Sequence, residues 1–114
     1  MKLKTDLIVD VAVVLQRGDQ CRRGRIWMEK PYMHNPSELE WICRAGVDGL
    51  LREPLEPFPA ANALQALCFS TQQLVDWIAE LNRKGWEVFT EQDFNGEVIR
   101  DQLDMNAYFG SPID

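Results

Sequence analysis

The sequence predicts an α+β domain in which a mostly antiparallel sheet of about four strands packs against one face of a long helix. Three segments with strand-like alternation precede the one long segment with helical periodicity, and a further short strand-like segment follows it at once. Strands that cluster before a helix favour an antiparallel sheet over a doubly wound parallel one. The length of 114 residues suits a single domain covering 1–114.

Most of the sheet is expected within residues 5–58. Leu7–Gln16 is the first predicted strand, because its odd-numbered positions are all apolar and its other face is apolar in part. This pattern is typical of a central strand, or of a strand whose second face is partly covered. Arg25–Lys30 is a shorter second strand, in which Trp27 has the opposite parity to its apolar neighbours. Either Trp27 or those neighbours must therefore face away from the helix.

Glu38–Ala45 is predicted as a third strand. Its alternation places Leu39, Trp41 and Cys43 on one face, and we expect that face to contact the helix. The stretch Leu50–Pro59 contains three prolines, which favours an edge strand or an extended connector.

The long helix is predicted over Pro59–Lys84, with proline in its first turn and Gly85 directly after its end. Apolar residues recur within it at spacings of three and four, which is typical of an amphipathic helix. The predicted buried stripe contains Leu64, Leu67, Thr71, Leu74, Ile78 and Leu81, and is widened by Cys68, Val75 and Trp77.

A fourth strand, Trp86–Thr90, follows the helix, and an acidic segment covers 91–114. Asn95-Gly96 within this segment is a turn signal. The pattern of Glu97–Met105 leaves two alternatives open, a short acidic helix and a strand.

Composition and charge limit the classes of function that are open to this protein. The formal net charge is −6, and an acidic domain is repelled by phosphate backbones, which disfavours nucleic-acid binding. No stretch approaches the length of a membrane span, and the N-terminus does not resemble a signal peptide. Three cysteines cannot all pair within one chain and no C-x-x-C spacing occurs, so free thiols and a cytoplasmic location are expected.

The sequence contains no clear catalytic, cofactor-binding or metal-binding constellation. His34 is the only histidine, and its candidate nucleophilic partners Cys43 and Cys68 both lie on faces predicted to be buried. Four Cys and His residues without paired spacing do not predict a zinc site. Cys21 differs because arginines surround it, which makes it a candidate reactive thiol as well as a bystander.

Five residues are candidates for binding a partner. Trp27 would be an interface anchor if it pointed outwards from the sheet. The other four are carboxylates at spacings of four, four and three, which a helix would align in one stripe: Asp93, Glu97, Asp101 and Asp104. A solvated charged face and a docking surface for a basic partner are both consistent with such a stripe.

Residues 86–114 hold seven of the eighteen acidic side chains and one basic side chain, Arg100. Two sources of compensating charge are expected. One is the basic segment Arg17–Arg25, in the same molecule or in a second copy. The other is an external basic partner.

Two short motifs suggest a family. Trp41-Ile42-Cys43 and Ala63-Leu64-Gln65-Ala66-Leu67, together with the order of elements over 25–85, resemble a group of small bacterial proteins of unknown function with a strand-rich first half and an "ALQAL" helix. The resemblance implies the α+β fold and carries no functional residue with it.

Three functions follow as hypotheses. The leading one is a non-enzymatic protein-interaction domain, such as an immunity-type inhibitor or a small adaptor, because charge asymmetry and four tryptophans suit a binding surface. The alternatives are a small-molecule-binding or minor enzymatic domain with a pocket between sheet and helix, and a structural homodimer.

Overall fold

The computed structural model describes residues 7–51 and 55–103. Within these residues the elements, in chain order, are β1 (Leu7–Arg17), β2 (Gln20–Glu29), β3 (Tyr32–Asn35), a 3-10 turn (Pro36–Glu38), β4 (Glu40–Ile42), β5 (Ala45–Asp48), α1 (Ala63–Arg83), β6 (Glu87–Phe94) and β7 (Glu97–Gln102). The main sheet has five antiparallel strands in the order β5-β2-β1-β6-β7, and β3 and β4 form a second, two-stranded sheet. The α+β class is confirmed, with one strand more in the main sheet than predicted.

β1 is the central strand, the first of the two alternatives that its apolar and partly apolar faces left open. It pairs with β2 along its whole length and with β6 over residues 12–16. Val13 and Leu15 lie in the core beneath the helix, and Val14 points to the opposite side, yet all three are at most 3% exposed. Pairing with β1 also extends β2 back to Gln20, because a long hairpin satisfies the backbone of residues whose side chains are polar.

The third predicted strand, Glu38–Ala45, is wrong as a continuous element. A 3-10 turn ends at Leu39, which has a left-handed backbone (φ 52°) and is 65% exposed. The chain then forms two short strands, β4 and β5, which belong to different sheets. Cys43 and Trp41 do lie on the helix side, whereas Leu39, predicted on the same face, is not part of the core because the turn directs it to solvent.

The helix begins at Ala63, four residues later than the predicted start at Pro59. Asn62 is the N-cap, and its Oδ1 accepts a hydrogen bond of 2.8 Å from the amide of Gln65. Gln65 reaches back in turn, and its Oε1 accepts a 2.8 Å bond from the amide of Ala61. One bond satisfies an amide of the first helical turn and the other an amide just before the helix, and together they fix the start of α1.

Tertiary pairing holds the preceding residues in an extended conformation. The backbones of Trp41 and Ala60 exchange two hydrogen bonds of 2.8 Å, so Ala60 lies beside β4 as an isolated antiparallel bridge. A residue with this pairing cannot form the first turn of a helix. The preference of Pro59 for the first turn of a helix is therefore overridden by the bridge between Trp41 and Ala60, which are nineteen positions apart.

Gly85 ends the helix through a Schellman motif. Its φ is +89°, its amide donates to the carbonyl of Asn82 at 3.1 Å, and the amide of Trp86 donates to the carbonyl of Leu81 at 3.0 Å. Glycine adopts this left-handed conformation without steric cost. The chain consequently turns straight from α1 into β6.

The buried line of α1 differs from the predicted stripe. It contains Ala66, Ser70, Leu74 and Ile78, four residues spaced by four. Leu64 was predicted in the stripe but is 70% exposed, and Cys68 was predicted buried but is exposed. Leu64 and Cys68 each lie two positions before a residue of the buried line, about 200° away around the helix, and therefore face away from the sheet. No helix within the described residues combines the length and apolarity needed to cross a membrane.

Beyond α1, the predicted strand Trp86–Thr90 extends to Phe94, and the segment from Glu97 is a strand rather than a helix. The turn predicted at Asn95-Gly96 is present, with φ values of +53° and +82°. Two positive φ values are typical of a type I′ turn, whose twist matches that of a two-residue hairpin. β6 and β7 therefore form a tight hairpin, in which Phe94 pairs with Glu97.

Candidate protein-interaction surface

The main sheet has two faces. The inner face packs against α1 and contains Val13, Leu15 and Val88. The outer face is on the other side of the sheet. It contains Val14 on β1 and Trp27 on β2, because each directly neighbours an inward-facing residue along its strand. Both faces contribute buried residues, but they differ in how their charges are paired.

Trp27 lies on the outer face, pointing away from the helix. It is only 9% exposed, because its indole ring covers Gly46 of the neighbouring edge strand. The indole Nε1–H donates to Oδ1 of Asp48 at 3.0 Å, so the polar atom of the ring is satisfied within the chain. Little of the ring is left for a partner, and the hypothesis of an exposed aromatic anchor gains no support from this position.

Ion pairs cover much of the rest of the outer face. Arg25 contacts Asp10 across β1 and β2 at 2.6 Å. Arg23 reaches across β1 to Glu91 on β6, also at 2.6 Å. Arg100 from β7 approaches the same oxygen of Glu91, Oε1, at 3.5 Å. Four adjacent strands are thus joined by carboxylates that already have basic partners.

This network shows one source of compensating charge for the acidic C-terminal segment. Arg23, from the basic segment Arg17–Arg25, meets Glu91 within the same molecule. The pair spans β1 at the level of Val14, which is 1% exposed although it lies on the side away from the helix. The arginine stems therefore shield apolar surface as well as neutralising charge.

The β6–β7 hairpin extends beyond the part of β6 that pairs with β1. That pairing covers only Glu87 to Glu91. The residues from Gln92 to Phe94 and all of β7 are exposed. Within the described part of the chain, this end of the hairpin pairs only with itself.

The register of the hairpin separates the predicted carboxylates. Asp93 pairs with Val98, which places it on the outer face, whereas Glu97 and Asp101 lie on the inner face. The single helical stripe is therefore wrong, because a strand alternates its side chains with a period of two. Asp104 lies outside the described residues.

On the inner face, the two carboxylates lie beside two exposed apolar side chains. We call Phe94, Glu97, Ile99 and Asp101 the hairpin patch. Phe94 is 63% exposed and Ile99 is 41% exposed. Glu97 and Asp101 flank Ile99 on the same strand, about 13–14 Å apart. Neither carboxylate forms an ion pair with a described residue, because Arg100 points to the outer face and contacts Glu91 there.

Phe94 and Ile99 were not selected from the sequence as candidate binding residues. The ion pairs that Glu91 and Asp10 form with arginines on the outer face were also not predicted. One signal could have found the patch. A type I′ turn at Asn95-Gly96 places Phe94 directly opposite Glu97, and the period of two then assigns every residue of the hairpin to a face.

The thiols lie in different surroundings. Cys43 is 1% exposed, and its Sγ donates to the carbonyl of Glu29 at 3.2 Å. Burial raises the pKa of the Cys43 thiol. A hydrogen bond with Ser70 lowers it by less, and the charge of Glu29 raises it by a still smaller amount. A buried, protonated thiol is a poor nucleophile. Cys21 and Cys68 are exposed, and none of the three forms a disulfide.

No cluster of three His, Cys, Asp or Glu side chains within 7–51 and 55–103 has the arrangement that a metal ion needs.

No family model, curated protein or solved structure matches this chain. The resemblance to small bacterial proteins with an "ALQAL" helix remains a prediction.

Proposed function

We propose that this chain is a non-enzymatic protein-interaction domain that binds a basic partner through the hairpin patch. An immunity-type inhibitor or a small adaptor is the concrete form of the proposal. The observation that supports it is the difference in ion pairing between the carboxylates on the two faces of the β6–β7 hairpin. On the outer face Glu91 has two arginine partners and Asp93 has none, whereas on the inner face neither Glu97 nor Asp101 has an ion-pair partner among the described residues. Both inner-face carboxylates lie beside exposed Phe94 and Ile99.

This arrangement suits recognition in two ways. Covering exposed apolar side chains with a partner stabilises the complex, because apolar surface is removed from water. Aromatic residues are also favoured as interface anchors. Uncompensated carboxylates attract a basic surface over long distances and accelerate association. Carboxylates that already have arginine partners contribute much less, because their field is largely cancelled.

The outer face supports binding less well. Covering it would desolvate the ion pairs of Arg23 and Arg25, and that cost offsets much of the gain from contact. The three free cysteines suit a reducing compartment, and we therefore place the interaction in the cytoplasm.

The patch can be tested with a photo-crosslinking amino acid placed at Ile99 in cells, with the same amino acid at Val98 as the matched control. Val98 is a suitable control because it is exposed and adjacent to Ile99 in the sequence but faces the outer side of the sheet. The expected result is a basic protein crosslinked from position 99 and not from position 98. Equal crosslinking from both positions, or an acidic partner, contradicts the proposal.

Kinetics with the purified partner give the second half of the test. Glu97→Gln combined with Asp101→Asn should slow association about tenfold or more at low salt, and by much less in high salt. Asp93→Asn is the matched control, because it removes a carboxylate of the same hairpin from the opposite face. An equal loss with Asp93→Asn would show that net charge, rather than the patch, directs binding.

A further inference from the structure

Among the strands that the structure describes, β7 forms an open edge of the main sheet. It pairs with β6 on one side, and no described strand pairs with its other side. The opposite edge is more protected, because β5 is only four residues long and the amide of Leu55 donates to the carbonyl of Ala45 at 3.0 Å. An open edge offers backbone groups to an added strand.

The hydrogen-bond register identifies the groups that point outwards. The amide of Leu103 donates to the carbonyl of Val88, so this pair is hydrogen-bonded across β6 and β7. Antiparallel pairs alternate between bonded and non-bonded positions. The backbone N–H and C=O groups of Val98, Arg100 and Gln102 are therefore directed to the open edge.

A second copy of this chain is a poor occupant of the edge. If two β7 strands pair antiparallel around Ile99, each Glu97 lies opposite Asp101 of the other copy. If they pair around Arg100, the two arginines lie opposite each other. Like charges in directly opposite positions destabilise a strand pair, so both central registers oppose self-pairing.

We propose that β7 accepts an extended segment of the basic partner as a sixth strand. The segment would carry basic residues opposite Glu97 and Asp101 and an apolar residue opposite Ile99. These positions alternate on one face, so the recognised pattern is basic-x-apolar-x-basic. The added strand runs antiparallel to β7, as every neighbouring pair of strands in this sheet does. This inference rests on the proposed function and adds to it the form and spacing of the ligand.

Two synthetic peptides of identical composition test the spacing. The first, acetyl-Thr-Arg-Thr-Val-Thr-Arg-Thr-amide, carries the proposed pattern. The second, acetyl-Arg-Arg-Thr-Thr-Val-Thr-Thr-amide, carries the same charge without it. Titration into the full-length protein, followed by amide chemical shifts, should show binding of the first peptide roughly tenfold tighter than the second. The largest shifts should occur at the amides of Val98, Arg100 and Gln102.

Backbone methylation of the first peptide tests strand addition itself. Only alternate peptide amides can bond to β7, so N-methylation of one alternating set should abolish binding and N-methylation of the other set should preserve it. Equal sensitivity to both sets overturns the proposal. Glu97→Gln with Asp101→Asn should remove the preference between the two peptides, and Asp93→Asn should retain it.

The remaining outcomes separate this inference from the proposed function. If both peptides bind equally and both lose affinity in the Glu97→Gln, Asp101→Asn variant, the patch binds basic ligands by charge alone and strand addition is wrong. If neither peptide shifts the β7 amides, strand addition with this pattern is also wrong. The crosslinking experiment at Ile99 then still decides whether the patch binds a partner.

Discussion

The indole ring of Trp27 occupies the space above Gly46 that a side chain would fill. A Cβ atom at position 46 would lie 2.7 Å from Cζ2 of the ring and 2.9 Å from its Nε1. The two residues are cross-strand partners on β2 and β5, and the ring is held from one side by its bond to Asp48. An aromatic residue thus covers a glycine of an edge strand.

Gly46→Ala should destabilise the fold by about 1–3 kcal/mol, because the rigid ring cannot yield without losing its packing. Urea denaturation measures this cost. The same substitution in a Trp27→Leu background should cost much less, since the obstructing ring is gone. An equal cost in both backgrounds would mean that the contact with Trp27 is not the cause.

Leu74→Ala should lower the free energy of unfolding by about 2–5 kcal/mol, because it leaves a cavity between helix and sheet. Leu74 is 7% exposed and belongs to the buried line of α1. Leu64→Ala is the matched control on the same helix, and at 70% exposure it should change stability by no more than about 0.5 kcal/mol. Comparable losses for the two variants would show that the helix is rotated from the position described.

A thiol reagent should distinguish the three cysteines. In the native protein at mildly alkaline pH, Cys21 and Cys68 should react quickly and Cys43 should react only after unfolding, because its thiol is buried and protonated. Mass spectrometry of the labelled peptides identifies the sites. The melting temperature should be the same with and without a reductant, and rapid labelling of Cys43 would contradict its burial.

The raised pKa of Cys43 also has a consequence for stability. Above the ordinary thiol pKa of about 8.5, the unfolded chain loses this proton while the folded chain retains it, so unfolding becomes more favourable as pH rises. Below the ordinary thiol pKa, the thiol is protonated in both states and the stabilising contribution of Cys43 is fully present. Cys43→Ala should therefore reduce the loss of stability between neutral and alkaline pH, and denaturation curves at both pH values measure the difference. An unchanged pH dependence would contradict the raised pKa.

Local patterns in the sequence were sufficient where a short segment decides its own conformation. The alternation of β1, the stop at Gly85 and the turn at Asn95-Gly96 each depend on side-chain parity or on a left-handed backbone position within a few residues. The α+β class follows from the order of those segments. The candidate carboxylates Glu97 and Asp101 could also be selected from composition and charge alone.

Contacts between distant residues decided the rest. The bridge between Trp41 and Ala60 delays the start of α1, and the pairing of β6 with β1 adds the β6–β7 hairpin to the main sheet. Such pairing depends on which backbone lies alongside, and no single segment contains that information. The local turn already places Asp93 on one face of the hairpin and Glu97 on the other. Which of these faces continues the helix side of the main sheet depends on the pairing of β6 with β1, so the tertiary structure determined the surface that could meet a partner.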